Sequence, residues 1–333
     1  MNILAIETSC DETAVAIVRD GRTIRSHLVA SQVEIHREFG GVVPEIASRC
    51  HVERISELTH HALEQASMAL EEIDGIGVTY APGLIGALLV GIHYAKGLAF
   101  SLRKPLIPVH HIQGHVAANY LAYPDLQPPF LCLVASGGHS HILRVSSYTD
   151  YQTLGRTRDD AAGEAYDKVA RVLGFPYPGG ASIDKAAQTG DPNRYPLPAP
   201  RVEGSPNDLS FSGLKTAVIH LVHRLKQSGE PYRTEDIAAA FQQQVIEALT
   251  SRLFRISCEH GDKIIVLAGG VAANSGLRQA VTDGCKANGL ACYIPPLSLC
   301  GDNAAMIASQ AFYEWKAGHI AGLDLNGVAS MPL

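Results

Sequence analysis

Two histidines four residues apart, His111 and His115, sit in the stretch Val109-His110-His111-Ile112-Gln113-Gly114-His115. If a helix begins here, positions i and i+4 lie on one face, and both imidazoles can reach a single metal ion. A polar helix start with no ligand is the plain alternative. Two imidazoles do not complete a coordination shell, so a metal would need a carboxylate from elsewhere in the chain. Asp302 is the candidate. It precedes an apolar helical stretch, so it could equally serve as that helix's N-cap. A second reactive stretch, Thr8-Ser9-Cys10-Asp11-Glu12, carries two hydroxyls and two carboxylates at a strand end. It could hold a metal or its waters beside a phosphate, or simply be a polar turn. Three glycine turns follow: Ser136-Gly137-Gly138-His139-Ser140, Tyr177-Pro178-Gly179-Gly180 and Ala268-Gly269-Gly270-Val271-Ala272-Ala273-Asn274. A tight glycine loop after a strand lets backbone N–H groups approach a phosphate.

The elements that must position these groups are legible in outline. Asn2–Glu7 and Thr13–Val18 are apolar runs, and Asp20-Gly21 after the second is a hairpin signal. Gly40-Gly41 and Pro44 mark a loop, after which a helix is expected from Glu45, with a further helical stretch over Ser56–Leu70. Ile73–Tyr80 reads as a buried strand, Leu84–Leu102 as an apolar helix, Leu106–Val109 as a strand and Ile112–Leu121 as a helix. Tyr123–Pro129 is Pro-rich and reads as a link. After it the opening pattern recurs: strand Phe130–Val134, a small polar loop, and strand His141–Val145. The acidic stretch Thr157–Leu173 is helical, residues 189–208 are an irregular insertion, and Asp236–His260 is a long helix. Lys263–Leu267 is a strand ending in the third glycine turn, where open α/β sheets place nucleotides. The last helix is expected from Ala304.

The chain has 333 residues, enough for two lobes of about 100–200 residues each. Hydrophobic residues make up 46% and charged residues 18%, which favours a large core over disorder. The net charge is −6, so any nucleic-acid contact must come from a local basic patch or a partner. Arg49, Arg54, Arg156, Arg158, Lys168 and Lys215 are the candidates for such a patch, with ordinary solvated charges as the alternative for most of them. Seven cysteines form no CxxC pair and fit reduced thiols in a cytoplasm. The N-terminus has no basic leader and no long apolar run, and Gly83–Ile92 is too short to span a bilayer, so no membrane role is expected.

Nine stretches, in order, resemble the TsaD family of tRNA threonylcarbamoyladenosine synthases, once described as O-sialoglycoprotein endopeptidases. They are IETSCDET (6–13), GGVVPEIASR (40–49), HHIQGH (110–115), SGGH (136–139), DDAAGEAYDK (159–168), YPGG (177–180), LSFSGLK (209–215), AGGVAAN (268–274) and DN (302–303). The resemblance implies an α/β, actin-like fold: two lobes with duplicated sheets around a nucleotide cleft. The expected division is 1–125 and 126–303, with a C-terminal helix at about 304–333 returning to the first lobe. It implies transfer of a threonylcarbamoyl group from threonylcarbamoyl-AMP to N6 of adenosine 37 in tRNAs reading codons that begin with A. The family's divalent metal, iron with zinc as the alternative, falls on His111, His115 and Asp302. Its adenylate site falls on Val134, Ala135, Ser136, Gly137, Gly138, Asp167, Gly180, Asp184 and Asn274, where threonylcarbamoyl-AMP, AMP or ATP would bind, with magnesium as a candidate companion. Archaeal and eukaryotic relatives carry a tyrosine ligand just before their SGG. This chain has Val134-Ala135 there and follows the bacterial pattern. The resemblance also implies partners: tRNA, a smaller actin-like paralogue (TsaB), an ATPase (TsaE) and an upstream adenylate-forming enzyme (TsaC type). A homodimer is a further candidate assembly.

The chemistry agrees with this reading. The adenylate is already an activated acyl donor, so the protein's tasks are to position it, worth roughly 7–11 kcal/mol, and to polarise its carbonyl or clamp its carboxylate. Asp11 and Glu12 are placed beside the reacting group, taking the proton of the exocyclic amine or ordering water. A metallopeptidase of the common type needs His-Glu-x-x-His, and here the base position is Ile112. A small-molecule kinase or carbamoyltransferase of the same fold is the remaining alternative, but magnesium prefers oxygen ligands to two imidazoles.

Overall fold

The computed structural model describes every residue, Met1–Leu333. The chain divides into two compact units. The first comprises Met1–Pro128, Val145–Tyr151 and Pro295–Leu333; the second comprises Pro129–Arg144 and Gln152–Ile294.

The first unit opens with β1 (Asn2–Glu7), β2 (Glu12–Arg19) and β3 (Thr23–Ser31), an antiparallel meander. Its second turn runs through Asp20 and Gly21, both at positive φ (52° and 67°), which suits the right-handed twist of the flanking strands. A short helix α1 (Val33–Arg37) leads to α2 (Pro44–Ala66), with Pro44 in its first turn, where a missing N–H costs nothing. The two helical stretches expected at 45 and 56 are this one continuous helix. Then come β4 (Gly75–Ala81), α3 (Ile85–Leu102), β5 (Leu106–His110) and α4 (His111–Ala122). The sheet order is β3-β2-β1-β4-β5, with β1, β4 and β5 parallel. β1 and β4 are almost wholly buried, as expected of parallel strands covered on both faces. Helix α3 is long and apolar enough to cross a membrane by length and composition. Here it packs on β4 and α2 and buries Leu88, Ile92 and Ala95.

The second unit repeats the plan. It contains β6 (Phe130–Ala135), β7 (Ser140–Val145), β8 (Tyr151–Arg156), α5 (Ala162–Leu173), α6 (Gly179–Ala187), α7 (Ser212–Ser228), α8 (Thr234–His260), β9 (Ile264–Ala268), α9 (Ser275–Ala287) and β10 (Ala291–Tyr293). Its sheet order is β10-β9-β6-β7-β8. Read from either sheet's third-formed strand, the order is the same, so the recurrence seen in the sequence is a duplicated topology.

The chain then returns to the first unit as α10 (Ala304–Lys316), which packs against α4 and β1. A helix over 304–333 was expected; it stops at Lys316 because Gly318 takes a left-handed conformation (φ 82°). Beyond it the tail is extended. It bonds to the edge strand β5 through Ala321 N–H to Leu106 O (2.9 Å) and to the end of β4 through Val328 N–H to Tyr80 O (2.9 Å). Pro295–Gly301, with Asp302, also belongs to the first unit, not to the second as the sequence division had it.

Candidate metal centre and nucleotide loops

The C-terminal ends of β1, β4 and β5 converge where the strand order reverses, between β1 and β4, the usual place for a ligand in an open α/β sheet. Glu7 ends β1, Thr79 lies near the end of β4, and His111 begins α4 directly after β5. His110 caps α4: its Nδ1 accepts from Ile112 N–H at 3.3 Å. Gly114 lies between the two histidines on the α4 face towards α10. A Cβ there would stand 2.6 Å from Ile307 Cδ1. Glycine therefore allows α10, and the Asp302 that precedes it, to come close.

His111, His115 and Asp302 come together, each offering a ligand atom within 4.8 Å of the others. Asp302 Oδ1 is 3.5 Å from His111 Nε2 and 3.3 Å from His115 Nε2. The alternative reading of Asp302 as an N-cap is not what the fold uses. Asn303 is the cap, its Oδ1 accepting from Met306 N–H at 2.9 Å, which leaves the Asp302 carboxylate facing the histidines. Both ring nitrogens of His115 are buried without a hydrogen-bond partner. Orphaned nitrogens on a fully buried ring are costly, and a cation on Nε2 is a natural partner for one of them. The donor set, two imidazoles and one carboxylate with remaining positions open, suits a divalent transition metal.

A residue missed in the sequence completes this site. Glu7 is fully buried. Its Oε1 accepts from Ser9 N–H (2.5 Å), and its Oε2 accepts from Thr79 Oγ1–H (2.5 Å) and faces His111 Nδ1 at 3.2 Å. A carboxylate only accepts, so Nδ1 carries the proton towards Glu7 and Nε2 is turned to Asp302. The only sequence signal was a charge ending an otherwise apolar strand. Burial alone would lower the His111 pKa, but Asp302 and then Glu7 reverse this and hold it well above the ordinary imidazole value. Burial dominates at His115 and lowers its pKa. For Asp302, burial works upward, but the charge on His111 outweighs it and holds the carboxyl well below the usual range.

Asp11 and Glu12 lie at the start of β2, both largely withdrawn from solvent. Burial first, and then the adjacent Asp11 charge, push the Glu12 carboxyl up to about 9. Ser31 Oγ–H donates to Glu12 Oε1 at 3.1 Å. The loop carrying them is held from below by His51, also missed. Its Nε2 donates to the Cys10 carbonyl (2.9 Å) while Nδ1 accepts from Thr13 Oγ1–H (2.7 Å), an assignment that follows because a carbonyl can only accept.

The nine residues assigned to an adenylate all lie in the second unit. Val134 and Ala135 are completely buried in β6, so only their backbone could serve a ligand. Gly137 and Gly138 are exposed, and a Cβ on either, or on Gly180, would meet nothing within 4 Å. Ser136 O and Gly137 O accept from Gly163 and Glu164 N–H (both 3.1 Å), tying this loop to the start of α5. Gly269 at φ 90° brings the third turn against the Ala135 carbonyl, closer than any side chain would permit. The polar residues form a bonded set. Asp167 Oδ1 accepts from Gly179 N–H (2.7 Å). Asp184 accepts from Ser275 N–H and Oγ–H (both 2.9 Å) and from Gln242 Nε2 (3.0 Å). Asn274 caps α9 through Leu277 N–H (2.8 Å) and donates to Gln242 Oε1 (2.7 Å). Gln242, which joins Asp184 to Asn274 from α8, was not anticipated; nothing in its long helical context marks it.

Comparison with known proteins bears on this arrangement. A family model described as "TsaD: tRNA N6-adenosine threonylcarbamoyltransferase" matches residues 23–309. The chain is similar to a Clostridium botulinum (strain 657) protein named tRNA N6-adenosine threonylcarbamoyltransferase, 49% identical over 333 residues, covering 100% of this chain and 98% of that one. It is likewise similar to a Moorella thermoacetica protein of the same name, 50% identical over 332 residues, with coverage of 100% and 97%. Among solved structures, it resembles the Acidaminococcus fermentans (R)-2-hydroxyglutaryl-CoA dehydratase component A. The TM-score is 0.57 at 17% identity, covering 95% of this chain and 98% of that one. HypF of T. kodakarensis gives a TM-score of 0.63 at 16% identity, covering 97% of this chain and 49% of that one. At such identities these two speak to the fold alone, which is actin-like.

Proposed function

Because the chain belongs to the TsaD family of tRNA N6-adenosine threonylcarbamoyltransferases, and is thus a tRNA-modifying transferase, we propose that it takes the threonylcarbamoyl group from threonylcarbamoyl-AMP. The acceptor is N6 of adenosine 37 in tRNAs reading codons that begin with A. The observation that carries the metal part of this proposal is the convergence of His111, His115 and Asp302 around a His115 ring with no other partner. Those three would hold a divalent cation, iron with zinc as the alternative. Such an ion supplies a Lewis acid for the donor's carbonyl or carboxylate.

The chain's own groups do the remaining work. Glu7 fixes the His111 ring and its tautomer. The exposed backbone at Gly137 and Gly138 and the half-buried Gly180, with Asp167, Asp184 and Asn274 bracing the turns, holds the adenylate's ribose and phosphate. As the N6–carbonyl bond forms and the carbonyl–O–phosphate bond breaks, AMP leaves with the bonding pair and N6 must lose a proton. Asp11, at the end of the loop before β2, takes that proton, and Glu12, whose carboxyl is raised by burial and by the adjacent Asp11 charge, stands beside it. On the family's pattern the chain works in the cytoplasm with a smaller actin-like paralogue, an ATPase and an adenylate-forming enzyme.

A single-turnover assay tests the reading. Threonylcarbamoyl-AMP and an unmodified anticodon stem-loop are supplied to the parent and to His111→Ala, His115→Ala, Asp302→Ala and Asp11→Asn, with bound metal measured in each. Metal and transfer should vanish together in the first three, and transfer alone in the fourth. Transfer that persists without metal would remove the ion from the chemistry.

A further inference from the structure

An acidic chain that modifies tRNA needs a concentrated basic site, and the six residues nominated from the sequence do not make one. Five are neutralised by carboxylates: Arg49 by Glu45 (2.8 Å), Arg54 by Glu57 (3.5 Å), Arg158 by Asp208 (2.5 Å), and Lys168 and Lys215 both by Asp160 (2.8 and 2.6 Å). Only Arg156 has no carboxylate partner.

Three other arginines behave differently. Arg201, Arg252 and Arg255 line one cavity of about 360 Å³ in the second unit, between α8 and the insertion, with Gln244, Ser251 and Glu247. Arg252 is buried, and every nitrogen of its guanidinium donates to a backbone carbonyl: Nε to Asp208 (2.8 Å), Nη1 to Ala248 (2.9 Å) and Nη2 to Pro200 (2.8 Å). It therefore has its hydrogen bonds but no counter-charge, because the nearby Asp208 carboxylate is occupied by Arg158 (2.6 Å). Arg255 Nη2 donates to Asn207 Oδ1 (2.7 Å), and its one carboxylate, Glu259, stands 3.7 Å off. Arg201 is exposed and unpaired. The Arg252 pKa is lowered, by burial first and then by the charges of Arg255 and Arg201, so the three cations feel one another. Three guanidiniums face one lining carboxylate, Glu247, an excess of positive charge that a further anion relieves, and guanidinium forks match phosphate oxygens.

We propose that this arginine-lined cavity is a phosphate subsite that receives a backbone phosphodiester of the tRNA substrate. The proposal rests on the tRNA-modifying reading above. Arg252 would be the fixed charge, already oriented by three carbonyls. Arg201 and Arg255 would close on the phosphate from the rim.

The test is tRNA binding by the full chain as a function of salt, comparing the parent, Arg201→Gln, the double variant Arg201→Gln/Arg255→Gln, its Lys/Lys counterpart, and Arg25→Gln as an exposed control in the first unit. Arg252 is left intact because it pins the insertion. Each neutralised phosphate lowers the slope of log K against log salt by about 0.7 on single strands. With one phosphate in the subsite, the double variant should therefore lose up to about 0.7 and the single variant less, with about a tenfold loss of affinity at low salt in the double. The Lys/Lys variant should recover most of the slope, and Arg25→Gln should match the parent. Three results overturn the subsite: unchanged slope in both Gln variants while the parent binds and transfers, an equal loss in Arg25→Gln, or loss of ATP or inorganic triphosphate binding with tRNA binding untouched. The first of these leaves the transferase reading standing. A parent that neither binds tRNA nor transfers would overturn both.

Discussion

Replacing Glu7 by glutamine exchanges one oxygen for an amide nitrogen in a fully buried site and changes almost no volume. The two carboxylate oxygens face three donors: Ser9 N–H on Oε1, and Thr79 Oγ1–H and the His111 Nδ1 proton on Oε2. Glutamine has a single acceptor oxygen. If that oxygen keeps Thr79 and His111, its NH2 is aimed at the Ser9 N–H; if it keeps Ser9, the NH2 is aimed at His111. Either way one charge-assisted bond is replaced by a donor facing a donor, which costs about 1.5–3 kcal/mol. Part of this falls on stability. The part that falls on His111 is loss of ring orientation and basicity, which for a carboxylate behind a ligating histidine lowers metal affinity by about 10–100-fold. The assay is competition for zinc or iron(II) against a chelator of known affinity, beside thermal melting in excess chelator. At saturating metal, transfer should recover substantially. Unchanged metal affinity would refute the role given to Glu7, and lost transfer with full metal occupancy would move Glu7 from ligand support to the chemistry.

Other outcomes follow from the same geometry. Gly114→Ala places a methyl against Ile307, so stability should fall by about 1–3 kcal/mol and metal affinity should fall as α10 is displaced; a variant with parental melting and metal content would contradict the close approach. Asn303→Ala should cost about 1 kcal/mol of stability as a lost N-cap yet retain the ion, whereas Asp302→Asn should lose the ion; melting curves with and without chelator separate the two. Glu12, with its folded carboxyl raised to about 9, binds its proton more tightly in the folded state. Its contribution is complete below the ordinary carboxyl range and is lost as pH rises towards 9. The parent's stability should therefore decline with pH across that window, and Glu12→Gln should flatten the decline; parallel curves would exclude a raised Glu12.

Much of the fold was legible because it rests on local periodicity and turn chemistry. The apolar strands, the Asp20-Gly21 hairpin and the helix opening at the histidine pair are written in runs of a few residues, and the recurrence after Tyr123 announced the duplicated sheet order. The pairing of His111 with His115 is also local, because four residues is one helical turn. Asp302 was ambiguous for an equally local reason: an aspartate before a helix looks the same whether it caps or ligates. Only the neighbouring Asn303, taking the cap, released it. Glu7, His51 and Gln242 could not be found in advance. Each acts on groups far along the chain, Glu7 on His111 and Thr79, and Gln242 on Asp184 and Asn274. The basic residues stayed open between a patch and ordinary solvated charges for the same reason, since a charge reads alike in sequence whether a carboxylate covers it or not. Periodicity, turn residues and ligand types are properties of neighbouring residues, and the sequence alone determined them. Which carboxylate faces which imidazole, which arginine is left without a counter-ion and which loops share a glutamine depend on long-range packing, and only the tertiary structure decided them.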